Sequence, residues 1–212
     1  LTAAPYRRLG HSTIFVPGRT SVAVDPWRWR DEDLKADLVL VTHGHADHCS
    51  EDDIESTLGP DTVVLCPTAL DYRLDVEFPM VVPLNEGEVY SGHGVKVTAL
   101  PHEGPPRARG FHRRGEGLSY LAEFEGATYL FLGDSTALPE HVGLAPDVAF
   151  FAVGGLAVMD PEEAADAAAL VRPKLAVPVH WGDLNGRFDL AVRFATLCAE
   201  RGVRAEAKPP KE

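Results

Sequence analysis

The sequence predicts an α/β protein in which helices are layered over sheet, and three observations carry that expectation. The chain opens on three short strand-like segments divided by turn residues, the pattern of an antiparallel meander. Further along, strand patterns alternate with helix patterns, which implies layers of helix on sheet. Acidic and histidine residues also recur directly after apolar runs, where a strand gives way to a loop and function commonly sits on a rigid scaffold.

The bulk numbers narrow the class. At 212 residues the chain is long enough to bury a substantial core, and 45 % apolar with 25 % charged residues is ordinary globular composition. The net charge of −12 disfavours nucleic acid as the main partner, because binding to phosphates needs a basic surface. No apolar run approaches the roughly 18 residues of a membrane span, and Leu1 to Arg8 lacks the apolar core of a signal peptide. Three cysteines, Cys49, Cys66 and Cys198, have no zinc-ribbon or CxxC spacing, and an odd number suits a reducing cytosol. The expectation is a cytoplasmic protein with a small-molecule partner, without nucleic acid or membrane, and with homo-oligomerisation left open.

The elements follow in order. Tyr6 to Leu9, Thr13 to Val16 and Ser21 to Val24 read as the meander, turning at Gly10-His11 and ending at Asp25-Pro26. Leu38-Val39-Leu40-Val41 reads as a buried strand. Glu51 to Leu58 reads as a short helix stopped by Gly59-Pro60, Thr62 to Cys66 as a strand, Thr68 to Leu74 as a short helix and Met80 to Leu84 as a strand. Glu88 to Tyr90 and Val95 to Leu100 form a hairpin whose turn places His93 in solvent. Gly104 to Gly117 is a loop rich in Gly, Pro and Arg, and Leu118 to Phe124 with Thr128 to Leu132 makes another hairpin. After the strand Val148 to Val153, Asp160-Pro161-Glu162-Glu163 starts a helix with Asp at the cap, Pro at the first position and Glu at the third. It runs to about Val171. Leu175 to Val179 is a strand. Leu190, Phe194, Leu197 and Cys198 then form the apolar face of a last helix, stopped by Gly202, which makes Cys198 a core residue. Lys208 to Glu212 reads as a frayed tail. No linker divides residues 1–212, so one domain is expected.

Chemistry concentrates in Thr42-His43-Gly44-His45-Ala46-Asp47-His48, directly after the buried strand. Imidazole with carboxylate suits zinc and similar metals. Four potential ligands within six residues are hard to direct at one ion, and two neighbouring ions are easier to serve. Asp25, His102, Asp134 and His180 each follow a predicted strand as well. A single such residue usually means nothing; a turn-former before Pro26 would explain Asp25 alone. Together, with strands in two packed sheets, they describe a binuclear site at one sheet edge.

His43-Gly44-His45-Ala46-Asp47-His48 resembles the H-x-H-x-D-H signature of the metallo-β-lactamase superfamily, with Asp25, His102, Asp134 and His180 matching its other motifs in order. Gly10-His11-Ser12, Gly133-Asp134-Ser135 and Val179-His180-Trp181-Gly182 resemble small bacterial hydrolases grouped with ascorbate-phosphate lactonase and the UPF0173 proteins. The resemblance implies a four-layer αββα sandwich with metals at one edge. It implies that His43, His45 and His102 bind a first metal, that Asp47, His48 and His180 bind a second, that Asp134 bridges them, and that Asp25 orients a ligand. His11 has no ligand role in these motifs and is either near the site or structural.

Two ions at such a site, about 3.5–4 Å apart, make hydroxide available near neutral pH for attack on a carbonyl carbon or phosphorus. The expected cofactors are two divalent ions, zinc by default, with manganese or iron accepted by the same ligands. Asp47 and Asp134 are also candidates to relay a proton, and Asp25 to support them. The basic stretch with Arg107, Arg109, His112, Arg113 and Arg114 is either a solvated loop or a substrate loop for an anionic group; Arg109, His112 and Arg113 are the candidate substrate contacts. The leading expectation is a hydrolase of a small ester, lactone or phosphoester. A nuclease of the same fold usually inserts a domain between Asp134 and His180, for which the chain has no room; a diiron redox protein carries Glu where His45 stands. A metal-binding module without catalysis is the rival from another class.

Overall fold

The computed structural model describes residues 5–31, 33–70, 80–108, 110–182, 184 and 187–208. Two six-stranded mixed sheets pack face to face. The first runs in chain order through β1 (Arg7–Gly10), β2 (Thr13–Val16), β3 (Val22–Val24), β4 (Ala36–Leu40), β5 (Leu58–Pro67) and β6 (Met80–Leu84). Its first three strands are antiparallel, and β3 to β6 are parallel. The second holds β7 (Val89–Gly92), β8 (Val95–Pro101), β9 (Leu118–Phe124), β10 (Ala127–Phe131), β11 (Val148–Ala152) and β12 (Leu175–Val179), again in chain order. Here β7 to β10 are antiparallel, and β10 to β12 are parallel.

Burial explains the layers. Leu38 and Leu40 of the first sheet share one buried cluster with Val95, Val97, Tyr120 and Phe131 of the second. The outer face of the first sheet, with Val39, Val41 and Val64, packs on Ile54 of α1 (Glu51–Thr57). The outer face of the second, with Ala149, Phe151 and Ala176, packs on α2 (Pro161–Val171) and α3 (Phe188–Glu200), where Cys198 is indeed in the core. The result is the expected αββα sandwich. β8 alternates, with Val95, Val97 and Ala99 buried and Lys96 exposed, whereas β11 and β12 are buried throughout. Parallel strands covered on both faces have no wet side to alternate toward.

Local chemistry fixes the ends. At α2 the Asp160 carboxylate accepts from the Glu163 amide at 2.9 Å, and the Glu163 carboxylate accepts from the Asp160 amide at 3.0 Å, the reciprocal cap expected from the sequence and worth about 1 kcal/mol. Other boundaries differ. α1 stops at Thr57 and β5 begins at once, so Gly59 and Pro60 already lie in the strand. Thr62 holds this bend, its hydroxyl donating to the Ala36 carbonyl and accepting from the Gly59 amide. Of the helix expected over Thr68 to Leu74, a short 3-10 turn at Thr68–Leu70 is present; the remainder lies outside the described residues, as does the end of the tail. A 3-10 turn at Pro139–His141 had no sequence signal.

The strand directions put the site on one edge. β1 and β2 are antiparallel, so the turn between them lies beside the C-terminal ends of β3 and β4. In the second sheet the same reasoning brings the C-terminal ends of β8, β10 and β12 together. The two edges are joined by backbone bonds: the His180 amide donates to the His11 carbonyl at 3.0 Å and the Leu118 amide to the Thr42 carbonyl at 2.8 Å.

Candidate metal centre

Asp25 is the anchor beneath the site. Its Oδ1 accepts from the Thr42 amide at 2.7 Å, and its Oδ2 accepts from the Thr42 hydroxyl at 2.7 Å and lies 2.7 Å from His48 Nδ1. The Thr42 hydroxyl, its proton given to Asp25, accepts from His43 Nδ1 at 3.0 Å. His43 therefore carries its proton on Nδ1 and presents the Nε2 lone pair outward, and His48 donates from Nδ1 to Asp25, which turns its Nε2 toward the site. A carboxylate or hydroxyl on the far nitrogen is the usual way to orient a metal-binding histidine. The backbone is left-handed at His11 (φ 21°), Asp25 (φ 46°) and His180 (φ 60°), a conformation costing roughly 1 kcal/mol or more each outside glycine. Three such residues at one edge point to a site that the fold holds in place.

Two groups of donors converge there. In the first, His43 Nε2 lies 3.1 Å from His45 Nδ1, and His112 Nε2 lies 3.1 Å from the same His45 atom and 3.2 Å from Asp134 Oδ2. In the second, Asp47 Oδ2 lies 3.1 Å from His11 Nε2, 3.5 Å from His180 Nε2 and 3.7 Å from His48 Nε2. Asp134 touches both: Oδ2 is 3.3 Å from His180 Nε2 and 3.8 Å from His43 Nε2, and Oδ1 is 3.3 Å from His48 Nε2. Each set of four, His43, His45, His112 with Asp134 and His11, Asp47, His48 with His180, offers atoms all within 4.8 Å of one another.

Hydrogen bonding does not account for this packing. With the protons of His43 and His112 on Nδ1, both Nε2 lone pairs face His45 Nδ1, whose single N–H could be donated to only one of them. Four donors around a zinc-sized ion at 2.0–2.2 Å stand roughly 3.3 Å apart, close to the observed separations. The residues fit a metal.

The electrostatics agree. Burial, with neighbouring His48, holds the His43 pKa well below its ordinary value, and burial with nearby His112 lowers that of His45. Neutral imidazole is the ligand form. His102 is pushed down to about 3, chiefly by burial. Burial opposes ionisation of Asp134 and Asp47, yet the surrounding imidazoles hold both carboxyls well below the carboxylate range. Despite burial, Asp134 draws His48 well above its ordinary value and His180 up to about 9: the carboxylates attract positive charge to this point.

A cavity of about 330 Å³ opens beside the first group, lined by His43, His45, His102, His112, Leu70, Phe111 and Glu116 among others. Of the basic stretch, Arg107 pairs with Glu163 and donates to the Val158 carbonyl, and Arg114 pairs with Glu86 and Glu140. These two are committed to holding the loop. Arg113 is exposed, and Arg109 lies outside the described residues.

The structure places His43, His45, Asp47, His48, Asp134 and His180 at one edge, with Asp25 beneath them. His102 stacks on His43, rings 5.2 Å apart and 28° from parallel, outside the four-donor set. Two further histidines stand among the donors. His112, read as a substrate contact, is buried among the donors, because its loop folds inward. His11, given no ligand role, stands in the second group. The signal for His11 lay in the strand directions, which put the first turn on the site edge.

The beta-lactamase superfamily domain, as a family, matches residues 7–180. The chain belongs to the metallo-β-lactamase superfamily, within its UPF0173 group of metal-dependent hydrolases. It is 31 % identical over 237 aligned residues to a UPF0173 metal-dependent hydrolase of Rubrobacter xylanophilus, covering 96 % of this chain and 93 % of that one. A UPF0173 metal-dependent hydrolase of Thermoplasma acidophilum is 29 % identical, over 83 % and 82 % of the two chains. In fold it is similar to Igni18, a metallo hydrolase from Ignicoccus hospitalis, with a TM-score of 0.78, 23 % identity and coverage of 98 % and 95 %.

Proposed function

We propose that this protein is a hydrolase of a small ester, lactone or phosphoester that works with two divalent metal ions, zinc by default. The observation that carries the reading is Asp134, one buried carboxylate within 3.3 Å of His48 and His180 on one side and 3.2 Å of His112 on the other. His43 and His45 would hold the first ion and Asp47, His48 and His180 the second, with Asp134 between the two donor groups available to both. His102 is the third histidine that the superfamily resemblance offers the first ion. When bound, two such ions would supply Lewis acidity and a water of lowered pKa at this edge.

The chain's own residues supply the rest. Asp25 fixes the rings of His43 and His48, so that their lone pairs need no reordering. Asp47, less buried than Asp134, is placed to relay a proton at the solvent side. The cavity beside His45 receives the substrate. A preference for an anionic substrate rests on Arg109 and Arg113, since Arg107 and Arg114 are paired within the protein.

The test is metal content per chain in protein purified without added metal, alongside His45→Ala, followed by a screen of lactones, phosphoesters and thioesters. Two equivalents, falling to one in the variant, with turnover of at least one class, support the reading. No metal, and no turnover after adding zinc or manganese, would sink it and favour a module without catalysis. The anionic preference is tested separately: Arg109→Glu and Arg113→Glu should raise KM for charged substrates, and an unchanged KM removes it.

A further inference from the structure

We infer that His112, from the loop between β8 and β9, is the third histidine ligand of the first metal, in the place that the superfamily resemblance gives to His102. The inference rests on the binuclear reading and decides between two of its residues.

Geometry comes first. His112 Nε2 lies 3.1 Å from His45 Nδ1 and 3.2 Å from Asp134 Oδ2, which completes a set of four mutually close donors with His43. His102 does not belong to that set, although it is as deeply buried.

Orientation comes second. The other nitrogen of His112, Nδ1, lies 3.1 Å from the Ala157 carbonyl. A carbonyl can only accept, so the proton sits on Nδ1 and Nε2 carries the lone pair aimed into the group. His43 and His48 are gripped in the same way through Thr42 and Asp25. A backbone carbonyl on the far nitrogen is a recurrent means of fixing a metal-bound imidazole. Neither ring nitrogen of His102 has a hydrogen-bond partner among the described residues. Its ring lies flat against His43, a packing role that orients neither nitrogen.

The loop is built to deliver this side chain. The Gly104 amide donates to the His112 carbonyl at 3.0 Å, and a Cβ on Gly104 would come within 3.1 Å of the His112 Cβ. Arg107 ties the same loop to α2 through Glu163. Phe111, next to His112, is 64 % exposed and lines the cavity. The proposed ligand and one wall of the cavity thus belong to one short segment.

The direct test is cadmium-113 NMR on the intact protein, labelled with nitrogen-15 histidine and loaded with cadmium. A cadmium–nitrogen coupling to His112 Nε2, and none to His102, is the expected result. Coupling to His102 and none to His112 overturns the inference while leaving the binuclear reading intact. A wild-type protein that binds no cadmium or zinc overturns both. Zinc affinity, measured by chelator competition, gives the second readout. His112→Ala should lose more than about 100-fold at one site, beyond the loss from removing an outer hydrogen-bond partner, and His102→Ala less than about 10-fold. Equal urea midpoints for the metal-free proteins show that the losses are local.

Discussion

The two donor groups share Asp134 but are built differently. In the second, His11, His48 and His180 are buried, and two of them, His11 and His180, sit on left-handed backbone at the ends of turns and strands. Their positions follow from the sheets themselves. In the first, His45 is only half-buried, the cavity opens directly beside it, and His112 arrives on a loop. The contrast suggests a division of labour: one half of the centre is set rigidly by the scaffold, and the other faces the substrate and adjusts with it. Each group has three buried donors, so it is backbone strain, at His11 and His180, that distinguishes the second group.

Four substitutions would break or sharpen that contrast. Asp134→Asn has the largest expected effect, since it weakens the carboxylate common to both groups; metal analysis should find both equivalents reduced, with kcat/KM lower by more than about 100-fold. Gly154→Ala should damage the second group alone. Its new Cβ would meet the His180 carbonyl at 2.6 Å and His180 Nδ1 at 3.0 Å, and backbone cannot step aside, so overpacking of about 1–3 kcal/mol is expected. Calorimetry should show Tm lower by several degrees, with about 10–100-fold weaker metal binding at one site. Asp25→Asn should weaken both sites to a similar extent, by about 10–100-fold in chelator competition. Unequal losses would mean that Asp25 serves only one group. Gly104→Ala should have the smallest effect, under about 10-fold and at the first site only, because the His112 loop can yield by a few tenths of an ångström. If Gly104→Ala proved as damaging as Gly154→Ala, the first group would be as rigid as the second.

The same contrast explains what could be read in the sequence. Residues at strand ends were legible: His43, Asp134 and His180 each follow an apolar run that stops abruptly, and side-chain burial alone creates that pattern. The cap at Asp160 was legible because its three residue types satisfy the same few backbone groups wherever they occur. His11 stayed undecided between a site and a structural role because a histidine in a hairpin turn is ordinary until the direction of β2 against β3 is known. His112 was hidden more deeply. It follows no strand and no periodic pattern, and only the inward fold of its loop, held by Arg107 and Arg114 on acidic partners, brings it to the centre. Arg107 and Arg114 belong to a stretch that read as either a solvated or a substrate loop, because formal charge in a sequence carries no record of its partner.

Each donor group draws on both sheets: His43 and His45 from one with Asp134 from the other, and His11, Asp47 and His48 from one with His180 from the other. An ion in either place would act as a rivet between the two halves of the sandwich. Because such an ion binds the native chain and not the unfolded one, supply at 1,000 times the dissociation constant adds about 4 kcal/mol to stability, a large part of what a domain of this kind possesses. Metal scarcity would then reach this protein as a change in how much of it survives quality control, before it registered as slower turnover.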